Sequence, residues 1–276
     1  MNLITCDWLN ENLNQKDLSI IDCTWHLPGT NRDGKSEFLN ERIPGSIFFD
    51  LDEFSDQSSK YPHTLADKEW FSKKASELGI QNSDHIICYD TLGIFTSPRV
   101  SWMFSQYGHE KVSILDGGFK NWKIKKFKIE KGKPQNKGQS NYIAKNNPKN
   151  IKFFEDIKNN IVSSTFKLID ARPSGRFNAT DPEPRPELQS GNIPNSQNLP
   201  FSKLLDPVTG CMKNKDELKK IFDELSISSE DKITFSCGSG VAAVIAGTAY
   251  EKVFNKEFDV YDGSWTEWAL KNKLIK

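Results

Sequence analysis

A chain whose second half repeats the landmarks of its first, in order and at a nearly constant offset, has to build one fold twice. Ser19-Ile-Ile-Asp22 returns as Lys167-Leu-Ile-Asp170, 148 residues on. Ile43-Pro-Gly45 returns as Ile193-Pro-Asn195, 150 residues on. Asp116-Gly-Gly-Phe119-Lys-Asn-Trp122 returns as Asp262-Gly-Ser-Trp265-Thr-Glu-Trp268, 146 residues on. Such a repeat implies two copies of one structural unit. The 276 residues suffice for two ordinary domains, each with its own core. Between the copies, residues 123–150 are rich in Lys, Asn and Gln, contain Pro134 and Pro148, and lose apolar periodicity after Phe127. That stretch reads as a linker wrapped on one domain. The boundary is placed near residue 140, which gives domains 1–140 and 141–276.

Within each half, short β-rich runs alternate with helical stretches. Strands are expected around 18–21, 46–49, 85–89 and 113–115, then around 167–169, 197–199, 233–236 and 259–261. Helices are expected around 70–78 and 98–107, then around 215–225 and 241–253. This alternation predicts an α/β fold, with a central parallel sheet flanked by helices in each domain.

The chemistry concentrates in Lys232-Ile-Thr-Phe-Ser-Cys237-Gly-Ser-Gly-Val-Ala-Ala. A short apolar strand ends at Cys237, and a glycine-rich turn leads into an Ala-rich helix. That is the place in an open α/β sheet where ligands and reactive groups collect. Backbone N–H groups of the turn can converge on the sulfur, and the helix N-terminus adds partial positive charge. Both favour the thiolate, which is the nucleophilic form. Cysteine is among the most buried residue types, so a structural role is the ordinary reading. The glycines after it leave room for a substrate and argue the other way. Subtracting 147 from Cys237 gives Asp90, so the first half carries a carboxylate where the second carries the thiol. One half is therefore expected to be catalytic and the other not. Cys88, inside the preceding strand, reads as structural.

Lys plus Arg equals Asp plus Glu at 37 each, so no positive field points to nucleic acid or a membrane surface as partner. No apolar stretch approaches transmembrane length, and the first residues carry no basic region followed by an apolar run, which predicts no signal peptide. The five cysteines, 6, 23, 88, 211 and 237, are odd in number and scattered without C-x-x-C spacing. This argues against a disulfide framework and against a zinc site, and a reducing cytoplasm is expected. Tryptophans 70, 102, 122, 265 and 268 lie in apolar patterns and read as core.

These residues resemble a known family. Tandem rhodanese-like domains, of which the C-terminal one carries a cysteine loop, are similar to those of sulfurtransferases. The loop Cys237-Gly-Ser-Gly-Val-Ala closely resembles that of 3-mercaptopyruvate sulfurtransferases, with Ala242 where threonine is usual. Thiosulfate sulfurtransferases of the same superfamily carry basic residues after the cysteine. The resemblance extends to Asp-Gly-x-aromatic-x-x-Trp at the end of both halves, and to Gly175-Arg-Phe followed by Glu183-Pro-Arg185. It implies substrate binding by Arg176 and Arg185 together with the loop residues Gly238, Gly240, Val241 and Ala242. Arginine forks suit the carboxylate and ketone of mercaptopyruvate, and prolines 173, 182, 184 and 186 stiffen the loop that carries them. Arg172 reads as structural, held by an ion pair or a backbone contact. The resemblance also implies a proton relay of Ser239, His63 and Asp52. That relay would bring first-domain groups to the second domain's site.

The chemistry so implied is two-step sulfur transfer. Cys237 takes sulfur from 3-mercaptopyruvate as a persulfide, releases pyruvate, and passes the sulfur to cyanide or a thiol, such as a thioredoxin-like protein. No metal or organic cofactor is required. Thiosulfate is the nearest rival donor, but that compact dianion would favour charge in a loop that here has none. A cysteine phosphatase needs an arginine six residues after the cysteine, where Ala243 stands. A sulfur carrier without turnover is the reading from another class.

Overall fold

The computed structural model describes residues 1–135 and 138–276. It divides into two compact units. The first comprises Met1–Gln57, Leu65–Lys149 and Pro207–Met212. The second comprises Ser58–Thr64, Asn150–Asp206 and Lys213–Lys276. Each unit thus takes in a short segment from the other half of the chain.

The first unit runs β1 (Asn2–Ile4), α1 (Cys6–Asn12), β2 (Leu18–Asp22), α2 (Gly34–Asn40), β3 (Ile47–Phe48), α3 (Leu51–Phe54), α4 (Lys68–Glu77), β4 (His85–Tyr89), α5 (Ser97–Gln106), β5 (Val112–Leu115) and α6 (Gly118–Ile124). The second runs β6 (Ile151–Lys152), α7 (Phe154–Ser163), β7 (Lys167–Asp170), α8 (Ser174–Phe177), β8 (Gln197–Asn198), α9 (Lys215–Glu224), β9 (Ile233–Ser236), α10 (Val241–Phe254), β10 (Asp259–Tyr261) and α11 (Ser264–Lys271).

Both sheets have five strands, in the orders β1-β5-β4-β2-β3 and β6-β10-β9-β7-β8. These are the same order shifted by one repeat, and every strand pair is parallel. Parallel strands need crossover helices, which cover both faces and make the central strands apolar on both sides. Ile86, Ile87, Cys88 and Tyr89 of β4 are accordingly all buried, as are all four residues of β9. The expected α/β architecture, a parallel sheet with flanking helices in each half, is what the chain forms.

Each core is anchored by the aromatic residues of the closing repeat motif. Phe119 and Trp122 pack with Cys6, Leu9 and Tyr89 in the first unit, and Trp265 and Trp268 pack with Phe154, Leu168 and Leu188 in the second. Trp70 departs from the core expectation. It is half-buried, with the Lys73 ammonium 5.2 Å from its ring centroid. The linker lies on the first unit. Tyr142 stacks on His109 with centroids 5.7 Å apart, and the Ala144 N–H donates to Ser72 Oγ at 2.9 Å.

Candidate active site

The third strand of the second sheet, β9, delivers Cys237 to the C-terminal edge, where the chain turns sharply into α10. Gly240 sits at φ +78°, a left-handed conformation that favours glycine, and serves as the helix cap. A Cβ on Gly238 would meet nothing within 4 Å, so this glycine leaves open space beside the cysteine. Cys237 is 3 % exposed, and Val241 and Ala242 open the helix on buried positions. Helix α10 is apolar nearly all round, as a helix enclosed by its own domain must be.

The start of α11 holds this loop. The Cys237 carbonyl accepts the Trp265 N–H at 2.9 Å, and the Gly238 carbonyl accepts the N–H of Thr266 at 3.0 Å and its hydroxyl at 2.7 Å. Ser264 Oγ accepts the N–H groups of Cys237 and Gly240, each at 3.1 Å, and donates to the Tyr261 carbonyl at 2.8 Å. The expectation that the loop's N–H groups converge on the sulfur is corrected for two of them, since those of Cys237 and Gly240 point back to Ser264.

Ser239 is buried, and its Oγ lies 2.8 Å from His63 Nδ1. The direction of that hydrogen bond follows the imidazole tautomer. His63 arrives on the Ser58–Thr64 segment that belongs to the second unit, at φ +64°. This buried hydrogen bond joins residues 176 apart in sequence. Asp52 lies in the first unit, in α3, where its N–H donates to Asp50 Oδ1 at 3.0 Å and its carbonyl accepts from Gln57.

The arginines follow β7, the strand beside β9, with Asp170 in register with Ser236. Arg172 is wholly buried. Its guanidinium binds Asp170 at 2.6 Å and Glu183 at 2.7 Å, donates to the Gly191 carbonyl at 2.7 Å and lies 4.3 Å from the Trp265 ring centroid. Burial works against its charge, and the two carboxylates outweigh that and raise its pKa. Arg172 is thus a structural arginine, held by ion pairs and a backbone contact together. Arg176, on the single turn of α8, reaches the second Glu183 oxygen at 3.5 Å and keeps 13 % of its side chain exposed. Its carbonyl accepts the Gly191 N–H at 3.0 Å. A continuous set of contacts therefore runs from Arg176 through Gly191, Arg172 and Trp265 to the Cys237 carbonyl. Arg185 is half-buried in the proline-rich loop, its carbonyl closing a turn with the Leu188 N–H at 3.1 Å.

The first unit supplies an internal comparison. Asp90 follows β4 as Cys237 follows β9, and its carbonyl accepts the Phe119 N–H at 2.9 Å, matching the Trp265 contact. Its carboxylate collects the N–H groups of Leu92, Phe95, Thr96 and Ser97 at 2.9–3.0 Å and the Ser97 hydroxyl at 2.7 Å. In the first unit the loop at this sheet position thus cradles the chain's own carboxylate.

A repeated parallel α/β unit, with a cysteine in the loop between a central strand and a buried helix in the second copy only, defines a class of cysteine-loop proteins. The family of rhodanese-like domains matches the chain twice, over residues 5–125 and 154–271. The chain is 36 % identical to the human protein named 3-mercaptopyruvate sulfurtransferase, over 98 % of this chain and 92 % of that one. It is 37 % identical to an Arabidopsis thaliana protein named mitochondrial thiosulfate/3-mercaptopyruvate sulfurtransferase 1, over 99 % of this chain and 77 % of that one. A crystal structure of a 3-mercaptopyruvate sulfotransferase from Escherichia coli superposes with a TM-score of 0.86 at 36 % identity, covering 95 % of this chain and 98 % of that one. The chain belongs to the rhodanese family of sulfurtransferases and carries the family's domain twice.

Three participants lie within the quoted motifs, but the motifs alone gave them no role. Ser264 and Thr266 meet the cysteine loop across more than 20 residues of sequence, and Glu183 joins two arginines. A signal for Ser264 did exist, since it stands where the first copy of the repeat has Gly118.

Proposed function

We propose that this protein is a 3-mercaptopyruvate sulfurtransferase, with the second domain catalytic and the first, which carries Asp90, not. The Cys237 thiolate attacks the sulfur of 3-mercaptopyruvate. The carbon–sulfur bond breaks, and its electron pair passes into the ketone to give the enolate of pyruvate. The thiol proton, relayed through Ser239 and His63, ends on that enolate carbon, leaving pyruvate and a Cys237 persulfide anion. Asp52 is kept as the residue to which the family resemblance assigns the steadying of the imidazole. Arg176 and Arg185 take the carboxylate and ketone oxygens and offset the charge that develops there. The N–H groups of Gly238, Val241 and Ala242 face the persulfide. A thiol RSH then removes the outer sulfur as RSSH and returns Cys237, or cyanide removes it as thiocyanate. A thioredoxin-like protein suits the thiol role, and a reducing cytoplasm keeps the nucleophile free.

The observation that carries this reading is the buried Ser239–His63 hydrogen bond, two residues from Cys237. A departing pyruvate enolate needs a proton, whereas sulfite leaving from thiosulfate does not. Thiosulfate remains the second reading, and the loop supports it less, since Gly238 to Ala242 carry no charge. Pyruvate release from 3-mercaptopyruvate and thiocyanate release from thiosulfate plus cyanide distinguish the two, measured with wild type and Cys237→Ser. Mercaptopyruvate turnover well above thiosulfate turnover, abolished in the variant, is expected. A preference for thiosulfate would reject the assignment.

A further inference from the structure

We propose that Ser264 is a positioning residue of the reaction, its hydroxyl fixing the backbone of the Cys237 loop so that the remaining loop N–H groups and Ser239 stay aimed at the reacting sulfur. The inference rests on the reading of Cys237 as nucleophile. It starts from a local conflict. Ser264 sits at φ +50°, where an L side chain is strained and glycine is free of strain. The first copy of the repeat has glycine there, Gly118, at the same φ of +50°. A Cβ on Gly118 would lie 2.4 Å from the Asp90 carbonyl oxygen, so only glycine fits in that unit. The second unit gives up the easier residue and holds a fully buried serine.

The hydroxyl it gains is saturated. A serine oxygen offers one donor and two acceptor sites, and all three are used, by Cys237, Gly240 and Tyr261. Two of these bonds bracket Gly238 and Ser239, the residues that turn the chain beside the sulfur. With both ends pinned to one atom, the turn cannot rotate as a whole. Ser239 then stays at 2.8 Å from His63. In the first unit the corresponding loop is held by the Asp90 carboxylate. A thiol cannot do this for itself, and Ser264 supplies the missing anchor from the neighbouring helix.

The test uses the full chain with Ser264→Gly, which removes the hydroxyl and the backbone strain together, and Ser264→Ala, which removes the hydroxyl alone. The rate of iodoacetamide alkylation at Cys237 is followed against pH by peptide mass spectrometry, beside mercaptopyruvate turnover and thermal melting. Both variants are expected to show the alkylation midpoint moved to higher pH and kcat/KM lowered by roughly tenfold or more, the scale of losing one or two fixed hydrogen bonds. Ser264→Gly should show this while melting above Ser264→Ala, because it also relieves the backbone strain. An unchanged alkylation profile with normal turnover in Ser264→Gly overturns the proposal. So does a lowered melting temperature accompanied by an unshifted profile, which would make the role structural. If wild type alkylates at Cys237 but ignores mercaptopyruvate, the substrate reading falls, and the pH midpoint still decides the part played by Ser264.

Discussion

Asp22 and Asp170 end equivalent strands, and each closes the same tight turn, accepting the N–H two residues on at 2.9 Å. Their partners differ. Asp170 meets the guanidinium of Arg172. Asp22 meets the Thr24 hydroxyl at 2.5 Å and has no guanidinium partner among the described residues. Complete burial pushes the Asp22 carboxyl up to about 7, with hydrogen bonds from Thr24 and Tyr89 opposing the shift. A carboxyl whose folded pKa lies above its unfolded value stabilises the fold when protonated. That contribution is complete below about pH 4 and is lost as pH rises through 7. The shift is worth on the order of 4 kcal/mol at its limit. Asp22→Asn keeps the acceptor for Thr24 and removes the titration. Urea unfolding at pH 5 and pH 8 should therefore show the variant gaining on wild type by roughly 2–3 kcal/mol between the two pH values. Equal pH dependence in the two proteins would mean that Asp22 is ionised in the folded state.

At the scale of elements, α10 shows propensity yielding to packing. Gly247 lies mid-helix, where alanine is favoured by about 1 kcal/mol. A Cβ there would fall 2.1 Å from the Phe258 ring, which is buried with its centroid 5.7 Å from that of Phe235. Gly247→Ala is thus expected to destabilise the second unit by ~1–3 kcal/mol, as overpacking does, and to lower its melting temperature. A rise would show that the ring can move aside at little cost. The elements that periodicity missed are instructive in the same way. Strand β6 has two residues and α8 has four, too short to show any period. Helix α7 was within reach, since Phe154, Ile157 and Ile161 recur at helical spacing and Asp156 accepts the Phe153 N–H. The long, apolar elements β4, β9 and α10 were readable because burial alone selects their residues. The cysteine and its turn were readable for a different reason, a reactive side chain beside glycines. Ser264, Thr266 and Glu183 were not, because each acts through a contact that exists only once distant loops have folded together.

Over the whole chain, the repeat explains why one half carries a thiol and the other a carboxylate. A carboxylate oxygen stands two bonds beyond Cβ and a thiol sulfur one. The N–H groups of Phe95, Thr96 and Ser97 are set for the longer reach, and α5 begins seven residues after Asp90 where α10 begins four after Cys237. Gly118 offers no hydroxyl to brace a shorter loop. Placing a cysteine in the first unit would therefore leave its sulfur short of the cradle, with several buried N–H groups unpaired, at about 1–3 kcal/mol for each such loss. Asp90→Cys should melt below wild type, and in combination with Cys237→Ser it should form no pyruvate from 3-mercaptopyruvate. Mass spectrometry after donor treatment of Asp90→Cys alone should find persulfide at Cys237 and none at position 90. Pyruvate formation by the double variant would refute the argument, because it would mean that the cradle of the first unit serves a thiol as well as a carboxylate. The geometry implies instead that the two halves diverged in loop length and in the residue at positions 118 and 264 together, so that recovering the chemistry in the first half requires changing all of these at once.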